Sequence, residues 1–441
     1  MKKLMFIITC FFVIMSCEKT NVDPPKQDLA SVTFETGFSN IDFDPDSEFY
    51  LMASASDGSV IDYKKLEFGK TLVLQNMGQA LETFTLSFVE RNTKEKFIMG
   101  LSYQLTPIGS EIQINAPETG APVQLDVNGF EGDANSYRVS LPGHSETLYG
   151  PASFSLLSEK NNAKIYVVKT DYDKGDIGFY LTEKTYTTGQ THQFNLTNAY
   201  QTFNEEEINL NTEFDFVFAN LRLFGRSANE VPSLAYFVSN NWSQEGDKQI
   251  VFRKPGTIFP TFSSVSTIYG DYHIFSSIST SKAYDFSIPE LEIEKVESKP
   301  GQVNFSIIAE NGYVGSYFMK EQNNGYIEWY VTDKAGLNKT VRVPNLPKEL
   351  TNFIADFNPD DLLWTEEVYL TWPQTNLTIG EIMNYDLLGW LPNDVPVVDV
   401  KFLDIYLGED ELKLGRYKGK AAAQGKKREM LTLKNRFQRT N

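Results

Sequence analysis

Short runs rich in Val, Ile, Phe, Tyr and Thr recur along most of the chain, each closed by a cluster of Gly, Asn, Asp or Pro. That punctuation constrains the fold more than any other feature. β-Branched and aromatic side chains fit a pleated, half-buried surface, and the clusters between them supply turns. Stretches with the 3.6-residue apolar period of a helix are nearly absent; Ile379 to Leu391 is the best of them and is short. With 32 Phe and 22 Tyr in 441 residues, the chain has ring area for several cores. The expected fold class is all-β: tandem antiparallel β-sandwich modules of Ig-like type, followed by a distinct β-rich C-terminal module.

Internal repetition supports the tandem arrangement. Val32 and Phe34 lead to Gly37-Phe38 as Val123, Leu125 and Val127 lead to Gly129-Phe130. Further on, Phe49 to Met52 matches Tyr137 to Val139, Phe84 to Arg91 matches Ile165 to Asp171, and Phe97 to Tyr103 matches Ile177 to Thr182. Gly109 before a short strand matches Gly189 before another. Modules are accordingly expected at 30–118 and 119–204, with a fainter third copy at 205–298. After Pro300 the pattern changes, and four of the five tryptophans (Trp329, Trp364, Trp372, Trp390) fall in the segment assigned to the last module, 299–412. There Tyr313 to Lys320 and Tyr326 to Thr332 read as a hairpin. Alternation puts Ile327, Trp329 and Val331 on a core face and Tyr326, Glu328 and Tyr330 on the opposite one.

The N-terminus carries a different signal. Lys2 and Lys3 precede an apolar stretch, Leu4 to Met15, broken only by Thr9 and Cys10. It suits a signal peptide and is too short for a permanent bilayer span. The segment Val13-Ile14-Met15-Ser16-Cys17 resembles a lipobox, which implies diacylglycerol attachment at Cys17 and cleavage before it. Residues 1–16 are then a lipoprotein signal peptide. Residues 17–29, polar and holding Pro24 and Pro25, form a lipidated tether. Two or three acyl chains make a stable membrane anchor. Cys10 lies in the leader, so the remaining chain keeps Cys17 alone and has neither a disulfide framework nor a cysteine zinc site.

Charge narrows the partners. Without Lys2 and Lys3 the 40 basic residues become 38 against 58 acidic ones, a net of −20. Such a balance argues against nucleic acid. The tail, 413–441, is the reverse, with ten Lys or Arg against Glu429 alone, and reads as a solvated basic end.

Chemistry-bearing motifs are missing. His144, His192 and His273 stand apart, and there is no His-Glu-x-x-His, no Gly-x-Ser-x-Gly and no phosphate-binding glycine loop. Neither catalysis nor a cofactor is expected. Three acidic runs come nearest to calcium loops: Asp42, Asp44 and Asp46; Asp171, Asp173 and Asp176 around Gly175; and Asp356, Asn358, Asp360 and Glu367. Each also has the composition of an ordinary turn, and no metal site is expected. Exposed aromatic rings beside amides or acids are a means of stacking on sugars. On that ground Trp242, in the polar loop expected at Asn240-Asn241-Trp242-Ser243-Gln244-Glu245, and the set Tyr326, Glu328, Tyr330 are the candidate ligand-binding residues.

Signal peptide, tether and tandem β-modules together resemble envelope lipoproteins of the Bacteroidota kind, among them accessory surface proteins of glycan-uptake systems. The resemblance implies an outer-membrane lipoprotein, anchored by its acyl chains and exposed at the cell surface. Glu18, followed by Lys19 and Thr20, meets the acidic export signal of that group only in part. Two functions follow as expectations: a non-catalytic protein that binds an extracellular ligand such as a glycan through its distal module, or a structural subunit or adhesin that contacts envelope proteins.

Overall fold

The computed structural model describes residues 26–36, 45–78, 81–114, 121–130, 135–158, 162–171, 173–196, 200–210, 218–226, 235–244, 249–269, 273–279, 284, 291–322, 325–353, 362–373, 378–388, 400–406 and 417–418. The first unit holds β1 (Gln27–Phe34), β2 (Ser47–Ser54), β3 (Val60–Lys65), β4 (Thr71–Asn76), β5 (Thr83–Asn92), β6 (Phe97–Pro107) and β7 (Ser110–Ile114). A three-stranded sheet, β4-β1-β7, packs on the run β6-β5-β2-β3. Between them lie Val32, Phe34, Leu51, Leu74, Phe88 and Tyr103. The second unit repeats this with β8 (Ala121–Asn128), β9 (Asn135–Leu141), β10 (His144–Leu148), β11 (Ala152–Ser158), β12 (Asn162–Asp171), β13 (Gly175–Thr187) and β14 (Thr191–Asn195). Its sheets are β11-β8-β14 and β10-β9-β12-β13, strand for strand the same order. The match extends to single bonds: Gly109, with φ +75°, donates its amide to Leu29 O at 2.8 Å, and Gly189, with φ +74°, donates to Pro122 O at 2.7 Å. The all-β, tandem-sandwich expectation holds.

Beyond residue 200 the arrangement departs from the sequence reading. The strands are β15 (Asn204–Asn209), β16 (Phe218–Arg226), β17 (Tyr236–Gln244), β18 (Gln249–Lys254), β19 (Thr261–Tyr269), β20 (His273–Ser279), β21 (Glu292–Lys299), β22 (Gln302–Ile308), β23 (Tyr313–Gln322), β24 (Gly325–Lys334) and β25 (Gly336–Arg342). Helix α1 (Lys348–Thr351), β26 (Leu363–Pro373), helix α2 (Ile379–Leu388), β27 (Val400–Tyr406) and β28 (Tyr417–Lys418) complete the set. The sequence separates 205–298 from 299–412, but their strands share one sheet, and that sheet takes in the first unit as well. Its order is β17-β16-β19-β20-β27-β26-β23-β24-β6-β5-β2-β3, twelve strands. The sandwich of the two repeats does not recur in 205–298 among the described residues.

Fusion occurs where β24 runs parallel to β6, from Tyr326 opposite Phe97 to Thr332 opposite Tyr103. Trp329, fully buried, lies flat over Gly100, where an added Cβ would come within 2.4 Å of the indole. Its Nε1 donates to Ser102 Oγ at 2.8 Å, which satisfies the one polar atom of the ring. The face of β2, β5 and β6 that an isolated sandwich would show to water carries Met52, Val89 and Ile98, all fully buried. They join one continuous core with Val303, Phe305 and Val341 of the sheet β25-β22-β21-β28. Burying each such side chain stabilises the fold by about 1.5–3 kcal/mol. The β6-β5-β2-β3 segment is thus a middle layer, with β4-β1-β7 on one side and β25-β22-β21-β28 on the other.

The second sandwich meets the other end of the large sheet. There β17 is the outermost strand, and an open edge of this kind is a template for unwanted pairing. Three contacts cover it: Asn240 N donates to Asp176 Oδ2 at 2.8 Å, Gly143 N to Ala235 O at 2.9 Å and Ser140 Oγ to Phe237 O at 3.3 Å. On its other flank, Asn241 Oδ1 accepts from Arg253 N at 3.1 Å, and Ser239 Oγ donates to Arg253 O at 2.9 Å. Side chains thereby link β17 to β18, a strand of a different sheet.

Candidate functional site

Trp242 is a strand residue of β17, and the polar run around it is not a loop as its composition suggests. Asn241 is tolerated in the strand because its side chain accepts from Arg253 N, as a ladder carbonyl would, and donates to Leu221 O and Ser239 Oγ. In the antiparallel pairing Trp242 stands opposite Asn220, Asn220 opposite Thr267, and Thr267 opposite Ser276. Directly opposed residues share a face, so these four form one row across β17, β16, β19 and β20. Ser276 Oγ donates to Thr267 Oγ1 at 3.2 Å within the row. The next row holds Asn240, Arg222, Val265 and Ile278. Asn220 Nδ2 donates to Asn240 Oδ1 across the two rows. Trp242, Asn220, Asn240, Arg222 and Ser276 are half-buried, and Tyr269, two residues beyond Thr267 on the same face, is 38% exposed. Thr267 is buried, and Val265 and Ile278 are buried in one cluster with Phe224, Phe237 and Phe402, so the groups the strip leaves partly open are the ring of Trp242, the amides of Asn220 and Asn240 and the hydroxyl of Ser276.

The second sandwich borders the strip. The left-handed Gly175 (φ +78°) lies against Trp242, with an added Cβ falling 3.4 Å from Cη2 of the indole and 3.1 Å from Arg253 Nη1. Next to it Asp176, 1% exposed, accepts from Thr170 Oγ1 at 2.7 Å and from Asn240 N, and sits 3.7 Å from Arg138 Nη1. The Arg138 guanidinium lies 4.2 Å over the Phe237 ring, which in turn meets Phe224 edge-on at 5.1 Å. Burial lowers the pKa of Arg138, and Asp176 opposes that shift.

The acidic turn is therefore divided in role. Asp171 accepts the amides of Asp173 and Lys174 at 2.9 and 3.1 Å, bonds that hold its carboxyl below the usual range, while Asp173 is exposed. Asp176 faces away into the seam, because the strand that starts at Gly175 alternates its side chains. The three do not converge on a common point, which corrects the calcium-loop alternative for this run. Among the described residues no group of His, Cys, Asp and Glu is placed to hold a metal ion. Asp46 instead pairs with Lys94 at 2.7 Å. Residues 42, 44 and 354–361 lie outside the described residues, as do Cys17 and nearly all of the basic tail.

The second aromatic set lies on the same face of the twelve-stranded sheet as Trp242, seven strand spacings away, roughly 33 Å at the usual separation. The structure does not bring the two candidates together. Tyr326 stacks on Phe97 with centroids 5.3 Å apart, and Tyr330 meets Tyr369 edge-on at 5.5 Å, its hydroxyl above Gly315. Glu328 is only 8% exposed, and burial raises its pKa, with a hydrogen bond from Tyr317 working against the rise. The sequence expects an outward platform here. The strand recruited from the first unit, β6, instead supplies Phe97 as a packing partner. His192 Nε2 lies 3.1 Å from Thr187 O, and burial lowers the pKa of His144; both histidines are strand residues of the second sandwich.

No protein-family model matches the sequence. No curated protein matches it either. Among solved structures, the FN1–FN3 domains of chicken CNTN1 are similar at 11% identity, over 54% of this chain and 91% of that one, with a TM-score of 0.11. A TM-score that low leaves the fold description resting on the strand pairing itself.

Sequence reasoning had found Trp242 but not Asn220, Thr267, Ser276, Tyr269 or Arg222. One signal for them was present: β16, β17, β19 and β20 contain no Asp or Glu at all, in a chain that carries 58.

Proposed function

We propose that this chain is a lipid-anchored, non-catalytic protein of the cell envelope that binds an extracellular glycan on the strip centred on Asn220 and Trp242. The half-buried Trp242, Asn220 and Ser276, which share one row across the sheet, carry the reading. An indole gives the CH face of a sugar an apolar surface, and neighbouring amides and hydroxyls meet its ring hydroxyls, the mixture found in sites for polar ligands. The Tyr326 set supports it less, since stacking and burial already engage those side chains. Purified protein on a glycan array, beside Trp242→Ala and Asn220→Ala, tests the proposal. Binding to a defined glycan class, weakened at least about tenfold by either substitution in a folded protein, is the expected result. Loss on Tyr326→Ala alone would move the site to the other set.

The structural or adhesive reading has one observation of its own. Among the described residues strand β14 ends its sheet with no element beside it, whereas its counterpart β7 has α2 beside it, with Gly380 against Ile112. An open edge suits pairing with a strand of a partner protein. Absence of glycan binding together with capture of an envelope protein by β14 would favour that role.

A further inference from the structure

The edge of β14 presents its main-chain groups in a fixed order. Gln190 O accepts from Gln124 N at 3.1 Å and Leu196 N donates to Asn128 O at 2.8 Å, so the even-numbered residues turn their amides and carbonyls towards β8 in the parallel ladder. Thr191, Gln193 and Asn195 therefore turn theirs away from the sheet, and all three residues are exposed. Among the described residues β14 pairs with β8 alone. The devices that blunt an edge are missing from it: the strand holds no Asp, Glu, Lys, Arg or Pro and no bulge, in a chain of net charge −18. Other edges are blunted. The exposed Glu205, Glu206 and Glu207 line β15. At β4, Lys64 Nζ donates to Val73 O and Asp62 Oδ2 accepts from Gln75 N, and β11 lies against β10.

We infer that β14 is a self-association site, which pairs antiparallel with β14 of a second copy of this chain about a two-fold axis through Gln193. The inference is independent of the glycan reading and gives a partner to the open edge on which the adhesive reading rests. In that register Gln193 faces Gln193 and Thr191 faces Asn195 of the second copy. Each of these residues already points its amide and carbonyl outward, so each opposed pair exchanges two hydrogen bonds. His192 faces Phe194 on the inner side, where both rings already meet Tyr186, at 5.3 and 5.9 Å, and the aromatic cluster continues across the axis. No like charges are opposed. Asp126 of β8 stands opposite Gln193, so its two copies lie three strand spacings apart, roughly 14 Å, beyond the screening length of about 8–10 Å. A contact of this symmetry closes after two copies. Five residues a side make a small interface and a weak dimer in dilute solution; the proposed acyl anchor, by confining both copies to one membrane, raises their effective concentration.

The test is sedimentation equilibrium of the intact, unacylated chain from about 1 μM to about 1 mM, with amide hydrogen exchange recorded at both ends of that range. Expected are a mass that rises from one chain towards two and protection at Thr191, Gln193 and Asn195 that grows with concentration. Gln193→Lys and Gln193→Glu each set like charges across the axis and are expected to weaken association at least about tenfold, while an equimolar mixture of the two variants restores it. A melting curve for each variant separates loss of pairing from loss of fold, and the wild-type exchange decides the matter should a variant not fold. A single-chain mass at about 1 mM with no protection gained would overturn the inference. A dimer indifferent to both substitutions and to their mixing would place the contact on another surface and overturn it too. A monomer whose amides at these positions gain protection only when an envelope protein is added would overturn self-pairing and leave the adhesive reading standing.

Discussion

The carboxylate of Asp176, the second residue of β13, accepts the backbone amide of Asn240 in the outermost strand of the twelve-stranded sheet, at 2.8 Å. One side chain of the second sandwich thereby satisfies an edge amide of another sheet and, 3.7 Å away, the charge of Arg138. Removing it leaves a nearly buried guanidinium without its counter-ion. Asp176→Ala is expected to cost about 3–5 kcal/mol, read from the midpoint of urea unfolding. Asp176→Asn keeps an acceptor for Asn240 or Thr170 and is expected to cost less. A loss under about 1 kcal/mol in the alanine variant would show that the seam is held by apolar contact alone.

Gly100 and Trp329 join the first unit to the C-terminal strands. An alanine at 100 would place its Cβ 2.4 Å from the indole, so Gly100→Ala is expected to destabilise by about 1–3 kcal/mol. Gly150, with no atom within 4 Å of an added Cβ, is the control, and Gly150→Ala is expected to change stability by less than about 0.5 kcal/mol. Equal effects at the two positions would contradict the tight packing described at β6 and β24.

Glu328 gives a pH signature. Burial raises its folded-state pKa above 4.5, so the folded state holds a proton that the unfolded chain has already released. Its contribution therefore opposes folding at neutral pH and is relieved as pH falls through the folded pKa towards 4.5. Glu328→Gln is expected to raise the melting temperature at pH 7, with the difference from wild type shrinking as the buffer is acidified. A difference that grows in acid would reverse the assigned sign.

Gly175→Ala probes the border of the strip. The residue has φ +78°, where an L side chain costs about 1–2 kcal/mol, and the new methyl would crowd Arg253 Nη1 at 3.1 Å while touching the Trp242 ring at contact distance. The expected result is a lower melting temperature together with a shifted tryptophan emission. Unchanged emission would place the Trp242 ring away from this turn.

Some of this was legible in the sequence, and the limits have physical causes. Two-residue alternation correctly put Ile327, Trp329 and Val331 inside, at 2%, 0% and 0% exposure, because a strand reports its own faces. The repeat was legible through Gly109 and Gly189, whose left-handed turns start matching strands. What covers Tyr326 was not legible, since Phe97 comes from a strand far away in the chain and no local pattern names a distant partner. Asn240 and Asn241 read as a polar loop because asparagine is depleted in strands, and only the bond from Arg253 N to Asn241 explains their place in β17. For the strip, composition disclosed the missing acids, while the row that joins Asn220 to Trp242 and Thr267 exists only once three strands are in register.

The parallel pairing of β24 with β6 also sets a timetable. Synthesis delivers Phe97 to Tyr103 roughly 230 residues before the strand that pairs with them. At about 5–20 residues per second, that leaves the rim of the first sandwich open for on the order of 10–50 s, with Met52, Val89 and Ile98 still facing water. The part of the chain made first is thus among the last to be finished, and the interval is one in which a holding chaperone would have something definite to cover.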